Sequence, residues 1–112
     1  MKKSLLIVSL LLSFGVAAST TYTKEQLNSM AASGSYPEQE SPVTKSSELV
    51  SFDKCRQDTR SVYSQLSGNY PAKEVVNTGV LYMVKLWTND GAITVTCSEP
   101  DGKKVVTQAD YK

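Results

Sequence analysis

The stretch Val75-Val76-Asn77-Thr78-Gly79-Val80-Leu81-Tyr82-Met83-Val84-Lys85-Leu86-Trp87-Thr88, followed by Asn89-Asp90-Gly91, decides how this chain folds. β-branched and aromatic residues dominate it, and its apolar positions recur at a period close to two, which is the pattern of a strand. Asn89-Asp90-Gly91 is a hairpin signal. A second strand over Ala92 to Ser98 then ends at Glu99-Pro100-Asp101-Gly102, a proline-led turn with glycine where a positive φ is wanted. A third strand from Lys103 to about Ala109 completes the expected three-stranded antiparallel β-meander.

Turn length decides which side chains share a face. A two-residue Asp90-Gly91 loop sets Leu86 opposite Val95 and Val84 opposite Cys97, and collects Val76, Val80, Tyr82, Val84, Leu86, Ile93, Val95 and Cys97 on one side. A three-residue loop would flip the first strand and bury Lys85, at the cost of an unpaired interior charge. The two-residue loop is therefore preferred. It leaves Leu81, Met83 and Trp87 on the opposite face beside Lys85, Thr94 and Thr96.

Upstream of the meander the period changes to that of a helix. Ser51 can cap it, Asp53 sits in the first turn where the helix dipole favours negative charge, and Gly68 precedes Pro71 at its exit. Phe52, Cys55, Thr59, Val62, Tyr63 and Leu66 form the buried face, while Lys54, Arg56, Gln57, Asp58, Arg60, Ser61 and Gln65 face out. Further upstream, Thr23-Lys24-Glu25-Gln26 reads as a capping box, with Tyr22 and Leu27 placed as a hydrophobic staple. A short helix from about Thr23 to Ser33, stopped by Gly34, follows; it is too short to stand alone and must dock. Residues 35–47, rich in Ser, Pro, Glu and Thr, read as a flexible loop. Both helices leave through a similar device, Gly34-Ser35-Tyr36-Pro37 and Gly68-Asn69-Tyr70-Pro71, read here as a repeated exit.

Residues 1–18 have the layout of a signal peptide: Met1-Lys2-Lys3, a leucine-rich run from Ser4 to Phe14, and small residues ending at Ala18. The apolar run is short for a membrane span, which wants about 20 residues. Cleavage near Ala18 would leave one small α+β domain over 19–112, periplasmic or secreted, with a bacterial style of leader. No cysteine follows the apolar run to carry a lipid. Cys55 and Cys97 are the two cysteines, an even number in an exported chain, and are expected to form one disulfide. With Cys55 on the helix face and Cys97 on the facing side of the sheet, the bridge would join helix to sheet.

Several function classes are disfavoured. Twelve basic against eleven acidic residues give no concentrated positive surface for nucleic acid. With no histidine the commonest catalytic base and metal ligand is missing, and no zinc spacing, nucleophile elbow or phosphate loop is visible. The expectation is a non-enzyme without cofactor or metal. Leu81, Met83 and Trp87 are candidate partner-binding residues, because an apolar stripe on a polar sheet face binds strongly when desolvated. Arg56 and Arg60, one helical turn apart, are candidates to grip a carboxylate or phosphate.

The order helix, loop, helix and three antiparallel strands across residues 23–109 is similar to the architecture of small outer-membrane-assembly lipoproteins and of β-lactamase-inhibitor repeats. The likeness is one of element order, without a shared motif. The functional expectation is an exported module that binds another envelope protein, as an inhibitor or immunity protein against a hydrolase. The alternative is a structural or stress-related envelope accessory; a small hydrolase or ligand carrier ranks below both.

Overall fold

The computed structural model describes residues 20–112, so the leader assigned to residues 1–18 lies outside the described residues. Two helices and five strands follow in the order α1 (Lys24–Ser33), β1 (Val43–Leu49), α2 (Phe52–Leu66), β2 (Ala72–Asn77), β3 (Leu81–Trp87), β4 (Gly91–Ser98) and β5 (Lys103–Asp110). The strands form one antiparallel sheet in the order β1-β5-β4-β3-β2. The expectation of a three-stranded meander is therefore wrong by two strands, each for a separate reason.

The single long strand expected over residues 75–88 is a hairpin. A strand of that length is well beyond the usual 5–6 residues, and Thr78-Gly79 breaks it. Thr78 N–H donates to the Leu81 carbonyl at 2.9 Å, and its hydroxyl accepts from Leu81 N–H at 3.0 Å. This turn folds β2 back along β3, with Asn77 opposite Tyr82 and a register shift between Glu74 and Val76. Val76 consequently pairs with Met83, on the face opposite to the one expected for it. Val80, 55% exposed, lies in the turn and not on the helix-covered face.

The other added strand is β1, which falls in and beyond the segment read as a flexible loop. All seven of its side chains are exposed, so no apolar alternation marks it. Its backbone pairs with the outer edge of β5, where unpaired amide and carbonyl groups would otherwise be left. A register shift around Lys45 interrupts the ladder. Before β1 the chain already runs beside the C-terminus: Glu40 N–H donates to the Asp110 carbonyl at 2.7 Å and Lys112 N–H to the Glu38 carbonyl at 3.0 Å.

Because β1 and β2 lie at opposite edges, α2 must cross the sheet between them, and it can cover one face only. Ser51 caps it, accepting from Lys54 N–H at 3.3 Å. Beneath it Phe52, Cys55, Tyr82, Val84 and Cys97 form a buried cluster with Val50, Tyr63 and Val95 packed around them. The Cys55–Cys97 disulfide runs through this core and ties helix to sheet. The Thr59 hydroxyl, buried beside it, lies 3.5 Å from the Cys97 sulfur.

The β3–β4 hairpin keeps the expected faces by a different turn. Tyr82 faces Cys97, Val84 faces Val95 and Leu86 faces Ile93, two residues away from the expected pairs but on the same side. Asn89-Asp90 form the loop, closed by Thr88 N–H to the Gly91 carbonyl at 2.9 Å, and among the described residues no non-glycine residue has positive φ. Gly91 belongs to β4, where a Cβ would lie 2.7 Å from the Ala109 carbonyl oxygen. Its glycine is demanded by the neighbouring strand and not by the turn.

Candidate functional site

The face not crossed by α2 can be read row by row from the pairing. One row runs Thr44–Thr107–Thr94–Lys85–Lys73, and the next Ser47–Val105–Thr96–Met83–Val76. A third holds Leu49, Lys103, Ser98 and Leu81. Leu81, Met83, Lys85, Thr94, Thr96 and Val105 are half-buried by their neighbours in the sheet, and the β1 members are exposed. Neither helix places a buried side chain over these rows.

The fourth row, Ala109–Ala92–Trp87, is covered. Leu27 of α1, Trp87, Ala92 and Tyr111 form a second buried cluster, surrounded by Tyr22, Tyr36 and Tyr70. Trp87 is only 4% exposed and Tyr36 stacks on it at 4.2 Å between centroids. The capping box that starts α1 is complete: Thr23 accepts from Gln26 N–H at 3.0 Å, and Gln26 accepts from Thr23 N–H at 2.8 Å. Gly34 ends the helix in the left-handed conformation at φ 77°. Tyr36 and Tyr70, from the two similar helix exits, both reach this cluster, so the repeated Tyr-Pro supplies aromatic packing.

Asn89 fastens the cluster to the hairpin. Its side chain donates to the Tyr22 carbonyl and accepts from the Tyr70 hydroxyl, at 2.8 and 2.7 Å, while its own carbonyl accepts from Tyr22 N–H at 3.0 Å. Tyr111 donates to the Thr88 carbonyl at 2.7 Å. Burial pushes the Tyr111 hydroxyl up to about 12, helped by the nearby Tyr22 and Asp90. The Trp87 indole N–H is buried with no acceptor among the described residues.

The two arginines are held by the far edge of the sheet. Arg56 is half-buried, donates to the Asn77 side chain at 2.8 Å and lies over the Tyr82 ring at 5.6 Å. The Arg60 Nε stands 4.0 Å from Glu74, which also accepts a short hydrogen bond from the Tyr82 hydroxyl. Burial first, and then that hydrogen bond to Glu74, push Tyr82 up to about 12. Arg56 thus braces α2 against β2 and β3, while Arg60, one turn on, stays largely exposed beside Glu74. On the other flank of α2, Asp58, Thr59, Val62, Val95, Lys104 and Val106 line a hollow of about 220 Å³.

Lys73 was not singled out by its sequence context. It stands directly opposite Lys85, and both side chains reach aromatic rings: Lys73 lies over Tyr36 at 5.6 Å and Lys85 over Trp87 at 5.2 Å. The signal that would have exposed this pair is the break at Thr78-Gly79, since only a separate β2 brings Lys73 alongside β3. Among the described residues no group of three or more His, Cys, Asp or Glu side chains is placed to hold a metal ion. No helix among them is long and apolar enough to cross a membrane.

Comparison of the chain with protein-family models, curated proteins and solved structures finds no match.

Proposed function

We propose that this chain is an exported, non-catalytic protein-binding module of the cell envelope, which docks a partner through the face of the sheet that α2 does not cross. Export is supported by the leader-like composition of residues 1–18 and by the disulfide, which persists in oxidising compartments. The observation that carries the docking reading is the row Val105–Thr96–Met83–Val76, with Leu81 beside it. Its apolar side chains stand half-buried on a sheet face where neither helix places a buried side chain over them, among hydroxyl-bearing neighbours. Such a patch gains from desolvation against a second surface. Its rigidity lowers the ordering cost of binding, because the same sheet is stapled to α2 from behind.

A photo-crosslinking residue at Met83, with the same residue at exposed Ser64 on α2 as control, tests this in intact envelopes. A discrete adduct at position 83 that is missing at 64 is expected. Equal or no labelling at the two positions would remove the docking surface. Inhibition is the form of docking that blocks a hydrolase: stoichiometric addition of the protein should then stop the cross-linked partner's activity, and Met83→Glu should restore it.

A further inference from the structure

We propose that Lys73 and Lys85 form a two-ammonium clamp for a carboxylate side chain of an acidic polypeptide segment lying on this face. The proposal rests on the docking reading above and specifies the chemistry of the partner. The two lysines are directly opposed across β2 and β3, an arrangement that destabilises a sheet when the charges are alike. The ion pairs among the described residues join Lys54 to Asp58, Arg60 to Glu74 and Lys104 to Glu48, and neither Lys73 nor Lys85 belongs to one. Both ammoniums are instead held near one aromatic stack, Lys73 over Tyr36 and Lys85 over Trp87. Cation–π attraction at such sites orients each charge without neutralising it. A carboxylate lodged between them would neutralise both.

Neighbouring rows indicate what else the segment carries. Thr94 and Thr107 continue the lysine row with hydroxyl donors, and Met83 with Val76 runs parallel to it. An acidic residue flanked by apolar ones would therefore meet charge in one row and methyl-bearing surface in the next. A polyanion such as nucleic acid is a poorer fit, since the chain as a whole carries nearly equal numbers of basic and acidic residues and offers no extended positive field.

Trp87 is the only tryptophan, so its emission reports directly on the charge held above its ring. The experiment titrates the full disulfide-bonded protein with a short peptide alternating Glu and Leu, with its Gln-for-Glu counterpart, and with inorganic phosphate. The acidic peptide is expected to change Trp87 emission, and to bind at least tenfold more weakly to K73Q/K85Q and in high salt. K73R/K85R should retain binding, and K73E/K85E should prefer a Lys-for-Glu peptide, which shows that the reversed variant is folded. Equal binding of the Gln peptide, or undiminished binding by K73Q/K85Q, would overturn the clamp. So would phosphate matching the peptide in affinity, which makes the pair a simple anion site. Cross-linking at Met83 that survives K73Q/K85Q would leave the docking surface standing while removing the clamp; absence of Met83 cross-linking in the parent protein would remove the docking surface and the clamp with it.

Discussion

The two faces of the sheet are closed by different means. Behind it, α2 is joined covalently through Cys55–Cys97 and fills its core with Phe52, Tyr82 and Val84. In front, α1 is held without a covalent tie, by Leu27, a ring of tyrosines fastened by Asn89, and a hydrogen bond from the Asn28 side chain to the Asn69 carbonyl at 2.8 Å. The difference follows from length. Fifteen residues of α2 reach about 22 Å, enough to cross a five-stranded sheet roughly 19–24 Å wide, while the ten residues of α1 reach about 15 Å. Among the described residues one helix is long enough to roof a face, and the other face stays largely open. The open face is where contact chemistry can evolve without disturbing the stapled core.

Breaking the covalent side should have the largest effect. Cysteines separated by 42 residues close a loop whose loss corresponds to about 4 kcal/mol in the chain-entropy model. Cys55→Ala/Cys97→Ala is expected to lower the free energy of unfolding by about that amount in urea melts, with both faces unfolding together. Leu27→Ala asks whether the front is an independent unit. Removing this side chain, 1% exposed, should cost about 2–4 kcal/mol locally. Amide exchange is expected to quicken over Lys24–Ser33 and around Tyr36 while the amides of α2 stay protected. Uniform loss of protection would show that the two faces are one cooperative body.

What was legible in the residues divides along the same line. Parts fixed by local chemistry could be read: the Thr23–Gln26 capping box, the Ser51 cap, and the Gly102 turn at φ 58°. The facing of Cys55 and Cys97 was also readable, because helical and strand periods place a side chain without knowledge of its partner. The β1 strand was not, since its pairing with β5 uses backbone groups that every residue carries and its exposed Ser, Thr, Lys and Glu side chains leave no periodic trace. The Lys73–Lys85 pair was hidden for a related reason. The period-two pattern runs unbroken across Thr78-Gly79, and opposition across strands depends on knowing where the chain reverses. Gly91 shows that a glycine can mark a crowded neighbour as well as a turn.

Alkaline pH sharpens the comparison, because each face buries one tyrosine with its hydroxyl raised to about 12: Tyr82 behind and Tyr111 in front. Both begin from the ordinary value of 10.0, so the unfolded chain releases these protons first. Their stabilising contribution is present in full below about pH 10 and is lost as the pH rises through about 12. Stability measured between these limits should fall with a slope approaching two protons. Tyr111→Phe should remove the front share and leave Tyr82 titrating, as followed by ultraviolet difference absorbance; a high-pH amplitude and stability slope unchanged by Tyr111→Phe would contradict the pairing of one such group to each face.

The smallest effect tests how much of the front depends on α1 being a preformed helix. Thr23 and Gln26 exchange two hydrogen bonds that satisfy otherwise unpartnered amides at the helix start, and both side chains are exposed. Thr23→Ala removes the cap without touching Leu27 or the tyrosine cluster and should cost about 1 kcal/mol. If α1 is held only by what it buries, global unfolding will hardly move, and the loss will appear as faster exchange in its first turn. If the whole front depends on the helix being nucleated there, Tyr36 will leave Trp87 more often and the sole tryptophan will become more accessible to quenchers at unchanged global stability. The second result is expected, since a ten-residue helix is too short to form unaided and buries a single leucine, Leu27, so that its cap carries a large share of its stability.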